Sequence, residues 1–91
     1  MKASWKDTEM KKSEIITLIE QTAIKYHKDE LDWFGYAWEC EGSKEEKMYR
    51  RFADESYHKC NAMCSLLDEI TGINGHAVTL DESCEYQMIV L

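Results

Sequence analysis

The sequence predicts a mostly α-helical α+β domain, in which an antiparallel two-helix hairpin is followed by a short C-terminal β-hairpin. Two long segments place apolar residues at three- and four-residue steps, which is the period of a helix with one buried face. A Gly-Ser pair at residues 42–43 separates these segments. Near the C-terminus apolar and polar residues alternate, which is the period of a strand. The chain contains no proline, which favours long uninterrupted helices.

A chain of 91 residues has the length of one domain, so we expect residues 1–91 to form a single domain. A domain this small buries only about two-thirds of its unfolded surface. The hydrophobic fraction of 44%, with three Trp, five Tyr and two Phe, argues against disorder. We therefore expect a second copy to cover the remaining apolar surface, which would give a homodimer with a four-helix arrangement.

Residues 1–12 are polar and are predicted to form an N-terminal arm or a first helical turn, with Trp5 and Met10 as apolar anchors. The first long helix is predicted over residues 13–41. Its two neighbouring apolar stripes make a face wider than one partner helix needs, which indicates a second contact. These stripes contain Ile15, Ile16, Ile19, Thr22, Ala23, Tyr26, His27, Trp33, Phe34, Ala37, Trp38 and Cys40.

The bend between the helices is predicted at Gly42, which can adopt the left-handed conformation that ends a helix. Ser43 can then cap the second helix, and Glu46 can complete a capping box. A connection this short predicts antiparallel neighbours. The second helix is predicted over residues 44–71, with Gly72 as its stop. Its seam contains Tyr49, Ala53, Ser56, Cys60, Met63, Leu67 and Ile70.

Residues 76–91 are predicted to form a β-hairpin with an acidic turn at residues 81–83. Val78 and Leu80 flank Thr79 in the first strand, and Tyr86 and Met88 flank Gln87 in the second. A lone hairpin is only marginally stable in water. We therefore expect it to pack on the helices, on a second copy, or on the sheet of a partner.

The formal net charge of -7 argues against direct binding to nucleic acid or to anionic membranes. This negative charge favours solubility, and it also favours binding of a cation or of a basic protein partner. Its carboxylates can in addition imitate the phosphates of a nucleic acid. The N-terminal residues lack the apolar core of a signal peptide. No segment approaches the length of a membrane span. We therefore expect a cytoplasmic protein.

The four cysteines contain no Cys-x-x-Cys pair, and we expect them to be buried reduced thiols. Cys60 and Cys64 lie one helical turn apart, a spacing that also suits a metal pair, although further ligands are not evident.

Catalytic motifs are absent from the sequence: there is no glycine-rich phosphate loop and no nucleophile elbow. His76 follows a Gly and is expected at the surface, without a nucleophile beside it. The leading hypothesis is therefore a small acidic, non-enzymatic interaction protein without a cofactor. It would be an inhibitor of phage or mobile-element type that covers a basic or nucleic-acid-binding surface of a target protein.

The predicted partner-binding residues lie on the first helix, since interfaces concentrate aromatic side chains. Glu30 joins them because it falls inside the apolar stripe, where a carboxylate is costly to bury without a cation or hydrogen-bonding partner such as His27. These residues are Glu30, Trp33, Phe34, Tyr36 and Trp38.

An alternative hypothesis is a di-metal carboxylate protein that binds iron or manganese. A bend near Gly42 places Glu30 level with Glu55, and His27 level with His58. Against this site, the helical period places Glu55 at the edge of the apolar stripe and His58 nearly opposite its centre.

The segments Asp32-Trp33-Phe34 and Glu55-x-x-His58 resemble those of the encapsulated ferritins, short two-helix proteins whose dimers form a four-helix di-iron site. The resemblance implies a ferritin-like helical fold and an iron cofactor. In that family a first-helix Glu stands where this sequence has His27.

A third hypothesis is an oligomer that binds a small anionic, nucleotide-like ligand between protomers. Arg50 and Arg51 follow the bend and are flanked by aromatic residues. In a chain this acidic, both are also expected to pair with nearby glutamates.

Overall fold

The computed structural model describes residues 11–91. Helix α1 spans Lys12–Glu39 and helix α2 spans Lys44–Thr71. Strands β1 (His76–Leu80) and β2 (Tyr86–Val90) follow, and they pair antiparallel. The predicted helical hairpin followed by a β-hairpin is thereby confirmed. The arm predicted over residues 1–12 lies almost entirely outside the described residues.

The bend between the helices forms where it was predicted, but its hydrogen bonds differ from a capping box. Gly42 has a φ of 85°, in the left-handed region. The Ser43 hydroxyl donates to the Cys40 carbonyl at 2.6 Å and caps no N–H group of α2. Glu46 accepts instead from the N–H of Gly42 at 2.8 Å. The predicted box is wrong because the serine hydroxyl completes the end of α1 rather than the start of α2.

The two helices pack through a seam of mostly small side chains. Among the described residues, Leu67 is the one large side chain that is fully buried. A seam this narrow buries little apolar area between the helices. Stable folding of the helix pair therefore requires that another element buries more of its apolar surface. The buried residues are Ile19, Ala23, Ala37, Ala53, Ser56, Cys60, Cys64 and Leu67.

An aromatic cluster joins the helices near the bend. Trp33 of α1 stacks on Tyr49 of α2, with ring centroids 5.6 Å apart and an interplanar angle of 18°. Its ring also lies 4.9 Å from Phe52, and Tyr36 lies 5.8 Å from Tyr49. Trp33 is thus level with Phe52 and Tyr36 level with Tyr49, which agrees with a reversal centred near Gly42.

The β-hairpin covers the half of one helix-pair face that is remote from the bend. Cross-strand partners Val78 and Met88 pack against a buried cluster of Ala23, Cys60 and Cys64. Further along β2, the ring of Tyr86 meets that of His27 edge-on at 5.2 Å. The hairpin therefore packs on its own helices, one of the three arrangements that the sequence left open.

Candidate protein-binding surface

An exposed apolar stripe runs along α1 between the end of the sheet and the bend. Leu31, Phe34 and Trp38 lie at positions i, i+3 and i+7, so they share one helix face. Their exposed fractions are 43%, 42% and 72%. His27 lies one turn earlier on that face and is covered by Tyr86. The sheet ends there, so these three residues, here named the bend stripe, remain uncovered.

The predicted partner-binding residues divide into two groups. Phe34 and Trp38 are exposed in the bend stripe, whereas Trp33 is half-buried in the aromatic cluster between the helices. Tyr36 is half-exposed and contacts Trp33 edge-on at 5.7 Å. Trp33 and Tyr36 therefore hold the helices together as well as adding aromatic surface. Sequence reasoning missed Leu31, although its three-residue step before Phe34 is the signal that would have placed it in the stripe.

The segment of the sequence that contains the bend stripe is acidic. Residues 29–46 contain seven Asp or Glu and one Lys, a local charge of -6 out of the formal total of -7. The bend stripe lies entirely within this segment. The bend stripe thus lies in an acidic segment of the chain, which Lys28 precedes and Lys47, Arg50 and Arg51 follow.

A cleft of about 220 Å³ opens between the helix pair and β1, and Glu30 is part of its lining. The Glu30 side chain is 14% exposed, and its carboxylate lies 3.7 Å from Nδ1 of His27. That separation is too long for a direct hydrogen bond. Because Glu30 precedes Phe34 by one helical turn, the cleft adjoins the bend stripe. Glu30 therefore presents a largely buried carboxylate at the edge of the candidate surface.

His76 also lines this cleft, and the prediction that it lies at the surface is wrong. Its side chain is 7% exposed and its Nδ1 lies 2.7 Å from Oδ1 of Asp68. Its backbone N–H donates to the same oxygen at 3.1 Å. Hydrogen bonds from the His76 side chain, then from its backbone, lower the pKa of Asp68. The pair ties the start of β1 to the end of α2, a contact across the Gly72–Gly75 turn that periodicity does not reveal.

Two buried thiols, Cys60 and Cys64, form part of the cleft wall. Burial raises the pKa of Cys60 to about 12 and also raises the pKa of Cys64. Both thiols therefore stay protonated near neutral pH and are poor nucleophiles. All four cysteines lie in the described part of the chain as free thiols, but Cys84 is exposed and Cys40 only half-buried, so the expectation of four buried thiols is half right.

The four candidate metal ligands are not brought together within the chain. His27 and Glu30 line the cleft beneath the sheet, whereas Glu55 lines a groove between the helices beside Tyr26 and Trp33. The His58 side chain is 69% exposed and lies 3.5 Å from Asp54. Within residues 11–91, no group of three or more His, Cys, Asp or Glu residues is arranged to hold a metal ion. Iron or manganese binding by these four residues stays a prediction.

The two candidate anion-binding arginines also differ in environment. Arg50 Nε lies 2.6 Å from Glu46 Oε2, which is the predicted pairing with a nearby glutamate. The bond from Gly42, followed by the one from Arg50, lowers the pKa of Glu46. Arg51 is exposed, and consecutive helix positions point about 100° apart. Binding of an anionic ligand by Arg50 or Arg51 stays a prediction.

Comparisons with known proteins add no family to this description: no family model, no curated protein and no solved structure matches the chain. Within the part of the chain that the structure describes, neither helix combines the length and apolarity needed to cross a membrane.

Proposed function

We propose that this chain is a non-enzymatic binding protein that covers a basic surface of a target protein. The observation that carries the proposal is the position of the bend stripe inside the segment of charge -6. Apolar and aromatic anchors within a polar rim are the usual anatomy of a protein interface. The segment that carries these anchors is acidic, so electrostatic complementarity favours a partner rich in Lys and Arg.

The aromatic side chains of the bend stripe indicate which kind of basic surface the target protein would have. Proteins that bind single-stranded nucleic acid combine cationic grooves for phosphates with aromatic side chains that stack on bases. Carboxylates around the bend stripe can occupy the phosphate positions, and Phe34 and Trp38 can occupy base positions. A target covered in this way loses access to its nucleic acid, which is how an inhibitor of phage or mobile-element type would act.

The proposal is tested by affinity capture from an extract of the native host. Wild-type protein is compared with Phe34→Ala/Trp38→Ala and with Leu18→Ala, which removes a 52%-exposed side chain far from the bend. We expect wild-type protein and the Leu18 variant to retain the same basic protein. The double variant should bind it roughly 30-fold more weakly, as expected for two interface anchors. Far-UV circular dichroism confirms that all three proteins are folded.

The retained protein is then challenged with salt and with a single-stranded oligonucleotide. Both should release it, because salt screens the exposed charges and the oligonucleotide competes for the same basic surface. Equal retention by all three forms of the bait, or a captured protein that the oligonucleotide does not displace, would contradict the proposal.

A further inference from the structure

The two buried cysteines of α2 and a methionine of β2 place several sulfur atoms in one part of the core. Cys60 and Cys64 are 6% and 8% exposed. They lie at positions i and i+4, a spacing that separates Cβ atoms on a helix by about 5–6 Å. Met63 and Met88 pack against the cluster that these cysteines form with Ala23.

The two thiols of this cluster are reached from solvent through the cleft. The two cysteines share its lining with His27, Glu30 and His76. Cysteines that only fill space need no opening of this kind, since a free cysteine in a closed core behaves as a small apolar side chain. Here the opening leads past the negative charge of Glu30, which is near enough to disfavour ionisation of Cys60. The same charge attracts a cation toward the thiols.

We propose that Cys60 and Cys64, in the wall of this cleft, form a binding site for a soft monovalent cation, Cu(I), together with the thioether of Met88, which packs against their cluster. Thiolate and thioether ligands select Cu(I) among the biological metals. A closed zinc site takes four nitrogen, sulfur or oxygen ligands, and no third His, Cys, Asp or Glu joins the two cysteines in such an arrangement within residues 11–91. The donor set thus suits an ion that accepts few ligands.

Binding at this site is coordination without electron transfer. Each thiol gives its proton to solvent as its sulfur–copper bond forms, and copper remains Cu(I) throughout. Met88 belongs to β2 whereas the cysteines belong to α2. A bound ion would therefore link the sheet to the helix pair and stabilise the folded state.

The test uses the Cys40→Ser/Cys84→Ser variant, which removes the two thiols that lie outside the cleft. The reduced, oxygen-free protein is titrated with Cu(I) against a chromophoric Cu(I) chelator. We expect one Cu(I) per chain, near-ultraviolet thiolate-to-copper absorption and a higher Tm. Adding Cys60→Ala or Cys64→Ala should weaken binding by at least about 100-fold, and Met88→Leu by about tenfold. Met48→Leu, an exposed control outside the cleft, should leave the affinity unchanged.

The proposal is overturned if the Cys40→Ser/Cys84→Ser protein binds Cu(I) no better than protein lacking all four cysteines. Because alanine in the core can reduce folding, X-ray absorption at the copper edge gives a readout that needs no core substitution. Copper loaded into the Cys40→Ser/Cys84→Ser protein should have sulfur neighbours. If copper had only nitrogen or oxygen neighbours, or if the protein retained no copper, the proposed site would be wrong.

Discussion

At the scale of single residues, the contact between Asp68 and His76 decides how the sheet is attached. One carboxylate oxygen accepts both from the backbone N–H and from the ring of a histidine that is almost fully buried. Groups of this kind are expensive to leave without a partner inside a protein. Loss of the carboxylate should therefore loosen β1 from α2.

The first prediction concerns Asp68→Asn, which removes the charge and keeps the shape. The folded-state pKa of Asp68 is below its ordinary value of 3.8. Its ionised form therefore stabilises the fold above pH 3.8, and this contribution disappears as the pH falls below that value. We expect the variant to have a lower Tm than the wild-type protein at pH 7. The difference should shrink when thermal unfolding is followed at progressively lower pH.

Asp54→Asn is the matched control, because Asp54 is an exposed carboxylate near an exposed histidine. It should leave the Tm at pH 7 nearly unchanged. Parallel pH profiles for the wild-type and Asp68→Asn proteins would show that the charge of Asp68 does not stabilise the fold.

At the scale of elements, two glycines near the bend have opposite roles. Gly42 lies in the turn between α1 and α2 and has a φ of 85°, a conformation that L side chains rarely adopt. Gly35 lies inside α1, and a Cβ added there would meet nothing within 4 Å. The first glycine is required by the reversal of the chain, whereas the second only weakens the helix.

The second prediction compares Gly35→Ala with Gly42→Ala, each serving as the control for the other. Alanine at position 35 should raise the free energy of unfolding by about 1 kcal/mol through helix propensity. Alanine at position 42 should lower it by about 1–2 kcal/mol, because the left-handed conformation strains a residue with a Cβ. Urea unfolding followed by far-UV circular dichroism measures both values. Changes of the same sign would contradict the role assigned to the bend.

At the scale of the whole molecule, the bend stripe and the surrounding charge act against each other in self-association. The exposed apolar side chains favour a second copy, as expected for a homodimer. The charge of -6 on residues 29–46 repels that copy. Added salt screens the repulsion and leaves the apolar attraction in place.

The third prediction is therefore a homodimer that strengthens with salt. Sedimentation velocity on the 10.7 kDa chain should show a larger dimer fraction at about 500 mM NaCl than at about 20 mM. Phe34→Ala/Trp38→Ala should remain monomeric at both concentrations. A dimer that dissociates as salt is added would indicate an interface held by ion pairs, away from the bend stripe.

Much of the architecture was predictable because its signals are local. Apolar periodicity placed both helices, and the glycine between them placed the bend. The candidate site was only partly predictable, since helical spacing alone does not show which face the β-hairpin covers. His27 and Glu30 lie on the covered face, whereas Glu55 lines a groove between the helices outside that cleft, although Glu30 and Glu55 lie level with each other.

The sequence by itself determined the order and approximate limits of the elements, the antiparallel reversal and the acidic, aromatic character of α1. Local periods and backbone preferences suffice for these features, because each depends on residues within a few turns of one another. Tertiary structure alone decided that the hairpin stops short of the bend, leaves Phe34 and Trp38 exposed, and brings Met88 to Cys60 and Cys64. These outcomes depend on packing between residues far apart in the chain, where many arrangements bury similar apolar area and side-chain fit selects one.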